Sequence, residues 1–285
     1  MKNLLLFISF FLFTNILNAQ RTDTTLHYGD NLKAGHTAKI RDINMYYEIY
    51  GAGQPLLIIH GNSGSIRDFE YQIPYFSKKY KVIVADSRDH GRTLDTLHMT
   101  DSLSYEMMSD DYAALLDYLH IDSSYVLGWS DGGINGLLLS IRHPEKVKKL
   151  AITGANLWPD STSIEPFILN MFNMQYKMMK MQKETVELKV MKRHYNLILS
   201  QPHLTTQDLS KIQCPTLVIG GDHDVIKPEH TLLIAKSISK SNLWIAPNSG
   251  HGVLVFENRD KFNAEVDAFF NRAYKKISGF ELFKH

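Results

Sequence analysis

Six short, largely apolar runs constrain this chain more than any other feature. Leu56–Ile59, Val82–Ala85, Ser124–Leu127, Leu150–Thr153, Leu217–Ile219 and Leu243–Ala246 each read as a strand covered on both faces. Such runs belong to parallel sheets, whose two faces are both dry. Amphipathic stretches fall between them. Tyr112, Leu115, Leu116 and Leu119 recur at helical spacing, as do Ile134, Leu137, Leu138 and Ile141, whose helix stops at Arg142-His143-Pro144. Strand alternating with helix implies right-handed crossovers and an α/β fold with helices on both faces of the sheet. Upstream, Ile40, Ile43, Tyr46 and Tyr50 mark two further short strands, and Asp260 to about Tyr274 reads as a closing helix.

A chain of 285 residues can bury one large core. We assign that core to residues 37–156 and 213–285, with 20–36 as a loose lead-in. Residues 157–212 break the rhythm: they hold no strand pattern but many large apolar side chains, among them Phe167, Met171, Phe172, Met174, Met178, Met179 and Met181. Methionine fills irregular gaps, so the segment is expected to form a helical lid over an adaptable apolar pocket. The alternative is a helical excursion whose methionines pack on the core. Residues 1–19 have a basic start at Lys2, a short apolar run and a small Ala19, the pattern of a cleavable signal peptide. The run is short for a membrane span, although an uncleaved anchor is the alternative. A secreted or periplasmic protein is expected, with no stable membrane insertion after cleavage.

Cleavage after Ala19 would remove one of 31 basic residues and none of 30 acids, leaving charge in formal balance. Nothing there calls for nucleic acid or an anionic membrane; the expected partner is a small-molecule substrate. The single cysteine, Cys214, opens an apolar strand and reads as a small buried hydrophobe.

The chemistry concentrates in three loops that each follow a strand. Gly128-Trp129-Ser130-Asp131-Gly132-Gly133 sits between a strand and a helix. A serine at so sharp a turn needs small neighbours two residues away on each side, and Gly128 and Gly132 supply them. Its hydroxyl needs a base. Among thirteen histidines, His251 stands out because it follows the last strand on the glycine-flanked loop Asn248–Gly252. The imidazole in turn needs a carboxylate. Asp224 and Asp222 compete in Gly220–Pro228; Asp224 is preferred for its spacing from Gly221 and Pro228, with Asp222 shaping the loop. A developing oxyanion needs fixed donors. The backbone N–H groups of Asn62, in His60-Gly61-Asn62-Ser63-Gly64, and of Asp131 are the expected pair. His60 reads as structural, and Asp86 and Arg88, in Asp86–Thr93, as braces for neighbouring loops.

Taken together, H-G-x at His60, D-x-R-x-x-G-x-S/T at Asp86 and G-x-S-x-G-G at Gly128 resemble the α/β-hydrolase superfamily over about Ile43 to Phe270. The resemblance implies the order nucleophile, acid, base, here Ser130, Asp224 and His251, on a mostly parallel twisted sheet with an inserted helical lid. The elbow is similar to that of valacyclovirase-type, biphenyl-hydrolase-like esterases, which cleave esters of α-amino acids. That likeness implies substrate contacts by Trp129 and Asp131, the latter gripping an amino group; Asp131 bracing nearby loops is the alternative. Asp89 departs from the glycine common in the second motif. The reading is a serine hydrolase of small carboxylic esters, amino-acid esters and lactones included, that needs no cofactor or metal. A carbon–carbon bond hydrolase, a cofactor-free perhydrolase, a prolyl-iminopeptidase-like peptidase gripping a free amine through Glu165, Glu184 and Glu187, and a non-enzymatic receptor are the alternatives.

Overall fold

The computed structural model describes residues 27–94 and 103–276. The expected signal peptide, residues 1–19, lies outside them, as do residues 20–26 of the lead-in. Eight strands form one sheet: β1 (Gly35–Ile40), β2 (Ile43–Tyr50), β3 (Gln54–Ile59), β4 (Tyr80–Ala85), β5 (Ser124–Trp129), β6 (Val147–Thr153), β7 (Thr216–Gly221) and β8 (Ser241–Ala246). Their order is β1-β2-β4-β3-β5-β6-β7-β8. Pairing is antiparallel only where β2 meets β1 and β4; β3 through β8 are joined in parallel.

Alternation along the strands divides the core into two layers. Leu57, Ile59, Ile83, Val126, Ile152 and Val218 point to one face. There they meet α2 (Tyr105–Tyr118), α3 (Asp131–Arg142) and α7 (Pro228–Ser237). Leu56, Ile58, Val82, Leu127, Ala151 and Ile219 point to the other, against α1 (Gln72–Phe76) and α8 (Arg259–Asn271) through Phe76, Phe262, Val266 and Phe270. Burying an aliphatic side chain fully contributes roughly 1.5–3 kcal/mol, and Leu56 through Ile59 are each at most 1% exposed. That double layer is why these strands read as unbroken apolar runs.

Residues 27–36 of the lead-in are more ordered than expected. Buried Glu48 of β2 would be costly without donors. It accepts from the backbone N–H groups of Gly29 and Asn31 and from the Tyr46 and Tyr50 hydroxyls, at 2.7–3.0 Å. Residues 27–34 are therefore pinned to the sheet, and residues 35 and 36 already belong to β1.

Between β6 and β7 stand α4 (Pro166–Lys180), α5 (Val186–Ser200) and α6 (Thr206–Leu209). α4 rests on α5: the Phe172 and Tyr195 rings meet edge-on at 5.9 Å, and the Tyr195 hydroxyl donates to Gln175 at 2.7 Å. Met179 is buried, whereas Met174, Met178 and Met181 are exposed, so these methionines do not pack on the core. Cys214 is buried with its thiol 3.8 Å from the Ser140 hydroxyl. No helix among the described residues is long and apolar enough to cross a membrane.

Candidate active site

The parallel crossovers bring the carboxyl ends of β3, β5, β6, β7 and β8 to one edge, and the singled-out loops converge there. Ser130 lies between β5 and α3 with φ +56° and ψ −120°, a strained conformation for a residue with a Cβ. Its backbone N–H is held by Thr153 O at 2.8 Å. A Cβ at Gly128 would lie 2.1 Å from Gly132 O, and one at Gly132 would lie 2.0 Å from Ile59 O. Both glycines are thus required by close backbone approach.

His251 Nε2 lies 2.9 Å from Ser130 Oγ, and its Nδ1 lies 2.7 Å from Asp224 Oδ1. An ionised carboxylate can only accept, so Nδ1 carries the proton and Nε2 is free to accept from the serine hydroxyl. Burial works against charge on this imidazole, but the charge and hydrogen bond of Asp224, with the charge of Asp131, outweigh it and raise its pKa above the usual 6.5. Burial likewise opposes charge on Asp224, yet His251 and the backbone donors of Ile226 and Gly221 keep its carboxyl below the usual range. Asp222 is elsewhere occupied: it accepts from the backbone of Asn248 and Ser249, both at 2.9 Å, and so shapes the histidine loop.

The His60–Gly64 loop lies against the elbow. A Cβ at Gly61 would sit 3.1 Å from the Ser130 Cβ. Asp131 is the first residue of α3, where a backbone N–H has no intrahelical acceptor. Its side chain is buried and accepts from Asn62 Nδ2 at 2.9 Å and from Tyr105. Burial pushes its carboxyl up to about 6 against the pull of those two donors and of His251. The carboxylate is thus engaged inside the protein, the arrangement of a brace. Trp129 also has an internal partner: its indole N–H donates to His251 O at 2.9 Å.

His60 donates from Nδ1 to Gly61 O at 2.8 Å and accepts at Nε2 from Ser87 N at 2.9 Å, and burial lowers its pKa to about 4. Asp86 accepts from the backbone of Ile66 and Arg92, and Arg88 bridges Asp42 and Asp111, so both brace loops. Asp89 adopts φ +63°, the backbone region glycine favours, and its carboxylate meets Arg193 of α5 at 2.9 Å. Glu165, Glu184 and Glu187 are all exposed, with Glu184 paired to Lys192 at 2.6 Å.

Sequence reasoning missed Gly154, Tyr105 and His194. Gly154 follows β6 with φ +66°, and a Cβ there would lie 2.7 Å from His251 Cε1 and 2.9 Å from its Nδ1. A glycine directly after a core strand was the available signal. Nothing local marked Tyr105 or His194. Among the described residues, no group of three or more His, Cys, Asp or Glu side chains is arranged to hold a metal ion.

Known proteins carry the same frame. Residues 54–178 match the family model described as alpha/beta hydrolase fold. The chain is 25% identical over 259 residues to a putative carbamate hydrolase, RutD, of a Caulobacter species, covering 80% of this chain and 96% of that one. It is 26% identical over 245 residues to the serine hydrolase BPHL of Mus musculus, covering 81% and 84%. The structure of an α/β hydrolase from a Medee basin deep-sea metagenome library superposes with a TM-score of 0.75 at 18% identity, over 85% of this chain and 100% of that one. This chain has the α/β-hydrolase fold, and the sequence relatives it resembles are hydrolases.

Proposed function

We propose that the protein is a serine esterase acting on a small carboxylic ester through an acyl-enzyme. The observation that carries this reading is the unbroken chain Asp224–His251–Ser130, with contacts of 2.7 and 2.9 Å. Ser130 Oγ attacks the ester carbonyl as its proton passes to His251 Nε2. Charge collects on the carbonyl oxygen, facing the backbone N–H groups of Asn62 and Asp131. Collapse breaks the carbon–oxygen bond, and the imidazolium returns its proton to the departing alkoxide. Water repeats the sequence against the acyl-enzyme, releasing the acid and restoring Ser130. General-base help contributes roughly 10²–10⁴-fold and each oxyanion donor roughly 10²–10³-fold. The N-terminal apolar run supports export of the mature protein from the cytoplasm.

A peptidase of the iminopeptidase kind needs carboxylates gathered over the triad, and the exposed positions of Glu165, Glu184 and Glu187 do not favour one. Turnover of a p-nitrophenyl ester compared with a vinylogous diketone separates ester from carbon–carbon hydrolysis. A fluorophosphonate probe is expected to label the wild type and not Ser130→Ala, whose ester kcat should fall about 10⁴-fold or more. A wild type that neither reacts with the probe nor turns over any ester removes the esterase reading.

A further inference from the structure

Both residues assigned the oxyanion donors also touch through their side chains, and one of them reaches the helical excursion. Asn62 Nδ2 donates to Asp131 Oδ2 at 2.9 Å and to His194 O of α5 at 3.3 Å. The neighbouring Ser63 hydroxyl lies 2.9 Å from Asn62 Oδ1 and 3.1 Å from His194 Nδ1. His194 Nε2 meets Asp89 O at 3.0 Å, and Arg193 meets the Asp89 carboxylate at 2.9 Å. Ser63 itself holds φ +55°, so the loop bends through a left-handed residue that is not glycine. Such a turn persists where surrounding contacts over-determine it.

We propose that Asn62 is a positioning residue: its amide ties the two loops that carry the oxyanion N–H groups and anchors them to α5, so the hole is complete only while α5 sits on the core. The proposal rests on the esterase reading above. A preorganised donor works because it is already aimed when charge develops, and a misplacement of about 1 Å can cost on the order of 10²-fold. Losing the tie leaves the backbone donors present but free to drift. That penalty falls on the transition state, where the oxyanion exists, and spares ground-state binding.

The test measures kcat and KM for a p-nitrophenyl ester, with thermal midpoints, in a set of variants. Asn62→Ala and Asp131→Ala are each expected to lower kcat about 30-fold while KM changes less than about threefold. The double variant should fall little below the worse single one, because both changes break one contact. Asp131→Asn still offers an amide oxygen to Asn62 Nδ2 and should recover most of what Asp131→Ala loses. Arg193→Ala, which loosens α5 far from the ester, should lower kcat about fivefold to tenfold at similar KM. The clamp is overturned if Asn62→Ala keeps kcat within twofold, if the two single losses multiply, or if Asp131→Asn matches Asp131→Ala. A KM that rises only for amino-acid esters in Asp131→Asn also overturns it, in favour of direct amine recognition. An unchanged kcat in Arg193→Ala overturns the part assigned to α5. Each of these outcomes is read against an active wild type, whereas an inert wild type sinks the esterase reading itself.

Discussion

At the scale of single residues, the proposed chemistry rests on close contacts around His251, 2.7 Å to Asp224 and 2.9 Å to Ser130. In the proposed acyl-enzyme mechanism His251 must be neutral at Nε2 to accept the Ser130 proton, and its pKa stands above 6.5 because Asp224 and Asp131 outweigh burial. A raised base pKa means that the protonated, inactive form persists to higher pH. The acid limb of kcat/KM should therefore have its midpoint above 6.5, and a midpoint below it would contradict the balance of charges around the ring. Gly154 is the less obvious requirement. With φ +66° and the imidazole where its Cβ would go, Gly154→Ala must displace His251. We expect kcat to fall at least about 100-fold, with a shift of thermal midpoint typical of one strained residue; full activity would show that the ring can yield.

At the scale of elements, α5 is held to the sheet through polar contacts as well as packing. His194 stacks on His90 at 3.9 Å between ring centroids, and His90 in turn lies 5.1 Å from His60. Burial holds all three neutral: His90 is lowered to about 3 and His60 to about 4, and His194, near His90 and Arg193, lies well below the usual value. Where a folded-state pKa is depressed, stability present above the unfolded pKa is lost as pH falls through the window down to the folded one. Each such histidine costs up to about 1.4 kcal/mol per pH unit from about pH 6.5 downward. Asp68, Asp86 and Asp131, raised to about 6, titrate nearby with the opposite sign, so only a difference between proteins is diagnostic. Denaturant unfolding at pH 7 and pH 5 should show a smaller acid loss for His194→Asn than for wild type. Equal losses would mean that His194 does not titrate with unfolding.

Across the whole molecule, legibility tracked how local the determining physics was. Five of the six core strands were readable because a strand covered on both faces must be largely apolar, as Leu56–Ile59 shows without reference to anything distant. The sixth, β8, was expected to be covered too but stands at the sheet edge, where Leu243 is exposed. The elbow was readable because Gly128 and Gly132 answer a local steric demand. Asp224 could be preferred over Asp222 by spacing, and the loop around His251 by its place after the last strand. Residues 27–36 were read as loose because nothing local shows that Gly29 and Asn31 fold back onto Glu48. Tyr105 and the Asp131–Asn62–His194 chain join residues from different crossovers, up to 132 positions apart, and no local pattern encodes such a meeting. The amino-acid order by itself determined the strands, the helices and the three reactive loops, since periodicity and backbone sterics act over a few neighbours. Only the tertiary structure decided which donors those loops meet, because hydrogen bonds and buried charges depend on distances that exist after the sheet has closed.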